Sequence, residues 1–145
     1  MISIIKSIFT SKPITTHHEL SYQQQLTASQ NICIGSIAIS PSNTYLFIGI
    51  WDGTLKQYNI SKNKNKLQKD YGKVHDSLIK CMAITLNEKI LFTGSFDHHL
   101  KQWNIKYQQL IRDWSNVHTN ELRCMRLCNN SSVLITSGGD MTLKK

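Results

Sequence analysis

Four groups of side chains have the types and spacing that chemistry requires. Asp97, His98 and His99 stand together in FDHHLKQWNI, where two adjacent imidazoles beside a carboxylate suggest a metal site or an acid–base pair. Ser95, His75 and Asp97 supply the residue types of a nucleophile, its base and an orienting acid. Cys124 and Cys128 suggest a pair of metal thiolates, and His17–His18 a second imidazole pair. Each idea needs company that the sequence does not supply. No second cysteine pair lies near Cys124 and Cys128, and no oxyanion-hole glycine motif accompanies Ser95. No phosphate-binding or dinucleotide-binding loop is present. The reading of these residues therefore depends on the elements that must hold them.

Those elements repeat. WDGTLKQYNI, from Trp51, and FDHHLKQWNI, from Phe96, share Asp, Leu, Lys, Gln, an aromatic, Asn and Ile, with Asp52 and Asp97 45 residues apart. GDMTLKK, from Gly139, repeats the pattern with Asp140 a further 43 residues on. Upstream, YLFIGIWD, ILFTGSFD and VLITSGGD are one pattern, and GSIAIS, KCMAIT and RCMRLC are another. Cys81 and Cys124 occupy the same place in successive units, which explains them as small buried hydrophobes in a strand. KVHDSLIK and NVHTNELR set His75 and His118 43 residues apart. Each unit reads as an alternating strand, a turn (SPSN, LNEK or NNSS), an apolar run, a tight turn at the aspartate, a second alternating strand and a polar closing stretch. That is four short antiparallel strands per unit, so the expected class is all-β.

This arrangement resembles the WD-repeat β-propeller family, over roughly residues 30 to 145. The resemblance implies an incomplete β-propeller of four-stranded antiparallel blades, with units at about 30–74, 75–117 and 118–145 and a leader over 1–29. LSYQQQLT, from Leu20, is the expected outer strand in that leader. The resemblance also implies a buried hydrogen-bonded chain through Trp103, Ser95, His75 and Asp97. His118 and Asp140 are its counterparts in the third unit, where Gly138 takes the serine position. In the first unit only Asp52 is kept; Gln30, Ile50 and Tyr58 stand at the other three places, so no such chain is expected there. Val74 and Val117 stand where the family usually has glycine. A ring needs typically four to eight blades, so the chain is expected to be a fragment whose remaining blades come from a longer chain or another copy.

The repeat recasts the reactive-looking residues. His98–His99 aligns with Gly53–Thr54 and Met141–Thr142, so the pair belongs to a turn, and neighbouring residues of a strand point opposite ways. Asp52, Asp97 and Asp140 recur with the period and serve the fold. Neither a metal nor a cofactor is expected, nor an enzyme. Function then lies in partner binding. The residue before each turn aspartate reaches the ring's top face in this family, which makes Trp51 and Phe96 candidate contacts for a protein partner.

Charge supplies a rival. The chain of 145 residues is 40% hydrophobic and 18% charged, as a globular domain is, but carries a net charge of +8 and a pI near 9.4. Lys56, Lys62, Lys64, Lys66, Lys69 and Lys73 crowd one segment opposed only by Asp70, and such a segment attracts acidic polymers such as RNA or anionic lipid head groups. Four cysteines and no secretory signal point to an intracellular, cytoplasmic protein. MISIIKSIF is too short to span a bilayer, and a mitochondrial presequence is its rival reading.

Overall fold

Eleven strands follow one another in a computed structural model that describes residues 32–61 and 66–145, and no helix interrupts them among the described residues. The first sheet runs β1 (Ile34–Ile39), β2 (Tyr45–Ile50), β3 (Thr54–Asn59) and β4 (Lys66–Lys73), in that spatial order. The second runs β5 (Ile79–Ile84), β6 (Ile90–Ser95), β7 (Leu100–Asn104) and β8 (Gln109–Trp114). The third has β9 (Leu122–Cys128), β10 (Val133–Gly138) and β11 (Leu143–Lys144). Every pairing is antiparallel, and these sheets do not close a ring. LSYQQQLT, His17–His18, Gln30, Lys62 and Lys64 lie outside the described residues.

Local chemistry sets the turns. In the first sheet Ser40 Oγ accepts from the amides of Thr44 and Tyr45 (3.2 and 3.1 Å). Thr85 Oγ1 does the same for Ile90 N–H at 3.1 Å in the second. The chain reverses through left-handed residues at equivalent places: Asn43 (φ 56°), Glu88 (φ 58°) and Ser131 (φ 68°). Asparagine and serine tolerate this region through local side-chain hydrogen bonds, which is why polar residues cluster there.

A bulge in the first strand of each of the first two sheets aims the core. Pairing slips between Ile34 and Ser36 on β1 and between Ile79 and Cys81 on β5. In a regular strand, residues two apart share a face. The extra residue breaks that rule, so Ile79 packs against the first sheet and Cys81 against the third. Between the first two sheets lie Phe47, Leu55, Ile79, Leu91, Trp103 and Ile105. Between the second and third lie Cys81, Leu100, Leu122 and Met125. The leading strands also touch through Ser36 Oγ, which donates to Ile79 O at 2.7 Å. A Cβ on Gly94 would fall 2.8 Å from both Cys81 Sγ and Met125 Cε, so only glycine admits this approach of the sheets.

Leu91 is fully buried in the first of these cores. Leu91→Ala is expected to cost about 2–5 kcal/mol, read from a urea denaturation curve, through lost transfer energy and the cavity left behind. Leu110→Ala on exposed β8 is expected to stay within about 0.5 kcal/mol.

Candidate functional site

The residues with chemical potential converge on one rim, where the second strand of each sheet turns into the third. His75 stands in the loop before β5 and is buried. Its Nδ1 lies 2.9 Å from Asp97 Oδ2 in the turn after β6, and its Nε2 lies 2.8 Å from Thr93 Oγ1 on β6. Trp103 Nε1 on β7 donates to the same Thr93 oxygen at 3.0 Å. Since that hydroxyl accepts from the indole, its own proton is free for His75 Nε2, and Nδ1–H then donates to Asp97. Every polar atom of the chain has a partner.

The hydroxyl in this chain is Thr93 and not Ser95, the residue expected from sequence. The two share a strand face, two residues apart, but Ser95 Oγ donates to Ser77 O (3.1 Å) and accepts from Asp97 N–H (3.1 Å). Ser95 is therefore a brace for the turn, while Thr93 lies one step deeper, level with the indole. The signal was present: Thr93 recurs as Thr136 with the 43-residue period, whereas Ser95 is replaced by Gly138. In the third sheet Thr136 Oγ1 lies 3.0 Å from His118 Nε2, and His118 Nδ1 lies 2.9 Å from Asp140 Oδ1. Asp52 has a smaller part: it is exposed, and its Oδ1 accepts from Thr54 N–H at 2.9 Å.

This geometry does not form a nucleophile. Ser95 makes no bond to His75, and Thr93 is 0% exposed, out of reach of a substrate. The aspartates are held as anions. Burial alone would raise the Asp97 carboxyl, but hydrogen bonds from His75 and from the His99 and Asp76 amides outweigh it and hold it well below the usual carboxylate range. At Asp140 the same opposition holds: burial pushes up, while the Thr142 hydroxyl and amide, His118 and the Thr119 amide pull further down.

His98 and His99 part company. His98 occupies the tight turn with φ 72°, the place held by Gly53 (φ 89°) and Met141 (φ 60°) in the neighbouring turns. His99 Nδ1 reaches Asp113 on β8 at 2.7 Å. Of the two cysteines expected to be buried, only Cys81 is, and burial pushes its thiol up to about 12; Cys124 is exposed on β9, as is Cys128.

One functional side chain escaped the sequence reading. The lysine of each repeated motif recurs at 56, 101 and 144. Lys101 Nζ donates to Val74 O (2.6 Å) and Lys144 Nζ to Val117 O (2.7 Å), so each ties down the residue before the buried histidine. Lys56 instead pairs with Asp70 at 3.4 Å. Lys73 lies 3.7 Å from Asp76, and Lys66 and Lys69 stand along β4, exposed and half-buried.

The candidate contacts differ in exposure. Trp51 is 59% exposed, whereas Phe96 is half-buried. Both backbones are fixed, Trp51 N–H donating to Cys33 O (3.0 Å) and Phe96 N–H to Leu78 O (3.1 Å), and the equivalent Gly139 N–H donates to Glu121 O (2.9 Å).

Residues 66–104 and 109–144 match the family described as "WD domain, G-beta repeat". The chain belongs to the WD-repeat family. Each matched span begins on an outer strand: the first runs from β4 through β7 and so crosses from the first sheet to the second. Among solved structures, the RRP9 WD40 repeats align with a TM-score of 0.72 at 15% identity, covering 79% of this chain and 35% of that one. A structure of U3-55K aligns with a TM-score of 0.72 at 15% identity, covering 79% and 36%. This WD-repeat chain thus spans about a third of their length, and the likeness is one of fold. No curated protein matches the sequence. WD repeats form a scaffold kind of fold for protein interaction and are in general not enzymes.

Two outcomes are expected for the buried chain. Thr93→Val leaves the indole N–H and the imidazole Nε2 without a partner and is expected to cost about 1–3 kcal/mol in chemical denaturation, more than Ser95→Ala. A carboxylate whose folded pKa lies below its unfolded value of 3.8 stabilises the fold above that value, and the contribution is lost as pH falls through the folded pKa. Stability measured between pH 5 and pH 2, at intervals of roughly one unit, is therefore expected to fall with acid in the parent, and Asp97→Asn to flatten that fall.

Proposed function

We propose that this WD-repeat chain is a non-catalytic scaffold that binds a partner protein through the rim carrying Trp51 and Phe96. The observation that carries the reading is the Trp51 indole, 59% exposed on a turn whose backbone is fixed on both sides. A large aromatic on a fixed backbone has few torsions to freeze on binding and buries much apolar area. The buried state of His75 and Thr93 supports the non-catalytic half, since it removes the obvious nucleophile and base from contact with a substrate. The low cysteine density supports placing the scaffold in the cytoplasm.

The acidic-polymer reading has less behind it. Of the lysines that motivate it, Lys56 and Lys73 face Asp70 and Asp76, and a neighbouring carboxylate weakens the pull of an ammonium on a phosphate.

Affinity capture with the whole chain and with Trp51→Ala, quantified by mass spectrometry, tests the scaffold. A defined set of proteins is expected to drop roughly tenfold with the variant at unchanged thermal midpoint. Equal recovery by both chains removes the rim from the proposal. Steep salt-dependent binding to single-stranded RNA or anionic vesicles, unaffected by Trp51→Ala, would shift the function to the basic segment.

A further inference from the structure

The two seams between successive sheets are built from equivalent residues, yet at one end of the strands a carboxylate clasps the first and none clasps the second. At the seam between the first and second sheets, Glu88 in the β5–β6 turn reaches back across. Its Oε1 accepts from Ser42 N–H, and its Oε2 accepts from Ser42 Oγ at 2.9 Å. Deeper in, Gln57 is 1% exposed and its amide oxygen accepts from Tyr71 OH at 3.0 Å. The next seam keeps an aromatic, with Trp114 at the place of Tyr71 and packed against its core, but the contacts at the two polar places differ. The place of Glu88 is taken by Ser131, whose Oγ only accepts from Leu86 N–H at 2.9 Å. The place of Gln57 is taken by Gln102, which lines a cavity of about 400 Å³ instead.

We infer that this cavity, between the β5–β6 turn and the β9–β10 turn, is a binding site for an uncharged peptide segment that inserts one apolar side chain. The inference rests on the protein-interaction reading above for its class of ligand, but it concerns the opposite end of the strands from Trp51. Three features of the lining choose the occupant. Phe92 and Ile90, both part-buried, offer an apolar floor. Gln102, Asn87 and Asn130 bring side-chain amides, which donate and accept as a peptide backbone does. No lining residue carries a formal charge, so a charged side chain would lose its hydration with nothing to replace it. The volume falls in the range of ligand sites and holds a leucine or phenylalanine side chain with its flanking peptide groups.

The natural control is the clasped seam. Glu88 sits at φ 58° and Ser131 at φ 68°, so a glutamate is already tolerated in this backbone conformation. Ser131→Glu should supply the missing clasp, with the Asn87 amide, equivalent to that of Ser42, as its partner. The probes are capped pentapeptides of sequence Gly-Gly-X-Gly-Gly with X as Leu, Phe, Lys or Asp, titrated at millimolar concentration into the whole isotope-labelled chain by NMR. The Leu and Phe peptides are expected to shift the amide signals of Leu86, Asn130 and Ser131, with binding about tenfold weaker for Lys and Asp and about tenfold weaker to Ser131→Glu. Trp51→Ala is expected to bind the Leu peptide as the parent does, which separates failure of this site from failure of the rim. Absence of shifts with the Leu and Phe peptides, equal response to all four, or full binding by a folded Ser131→Glu overturns the inference.

Discussion

A buried imidazole has two nitrogens to satisfy, and the second sheet is arranged around doing so. His75 comes from the loop, Thr93 from β6, Asp97 from the next turn and Trp103 from β7, so one hydrogen-bonded chain fixes four separate segments at once. Each link is worth about 1 kcal/mol net, but the penalty for leaving a buried donor or acceptor without a partner is about 1–3 kcal/mol. The asymmetry is what specifies the packing. A leucine core tolerates a strand sliding by a fraction of a residue; a threonine hydroxyl shared between an indole and an imidazole does not. Register, in turn, decides which residues face the neighbouring sheets, because a slip of one residue would reverse every face of β6.

The chain of bonds needs its loop in place, and other residues see to that. Gly53 O accepts from the amides of Val74 and His75 (3.0 and 3.2 Å), which pins the loop to the turn of the preceding sheet. Lys101 holds Val74 O from the other side. A Cβ on Gly53 would fall 1.8 Å from His75 O, so this contact also explains why that turn is glycine where the next has His98. Neighbouring sheets are therefore joined by polar contacts at the rim as well as by apolar contacts between their faces. The Lys101 side chain is 16% exposed and its ammonium is close to Asp113 (3.4 Å), which balances its charge in that half-buried place.

Much of this was legible in the sequence, for a reason that the strands make plain. A repeat reports structure because the same backbone must be built each time, so Asp97, Trp103 and His75 stood out by recurrence. The fold class and the turns followed from it. What recurrence did not resolve was depth along a strand. Ser95 and Thr93 have the same alternation and nearly the same chemistry, and only the position of Trp103 opposite Leu91 decides which one the indole meets. Thr136, paired with His118, would have broken the tie. The lysine clasps were hidden differently: a lysine on an alternating strand reads as a solvated outer face, and its stem reaches a carbonyl that lies 27 residues away in sequence. Exposure of Trp51 against half-burial of Phe96 lay beyond pattern altogether, since both stand at the same place in the repeat.

The first sheet shows what happens where the polar chain is dispensed with. Ile48 and Tyr58 stand where Thr93 and Trp103 would, and both are buried. With no imidazole chain to satisfy, an apolar residue at the threonine position costs nothing and adds transfer energy. The seam still needs a specifying contact, and Tyr71 provides it. Its ring meets Trp103 edge-on, with centroids 5.8 Å apart and planes at 75°, and its hydroxyl donates to buried Gln57. Burial pushes the Tyr71 phenol up to about 12, which keeps that proton in place as a donor at neutral pH. One aromatic side chain on an outer strand thus couples the indole of the second sheet to the buried amide of the first. The specificity that one sheet draws from a chain within itself, its neighbour draws from a contact across the seam. The next seam keeps an aromatic at that place, Trp114, but has Ser131 where the first has the Glu88 clasp.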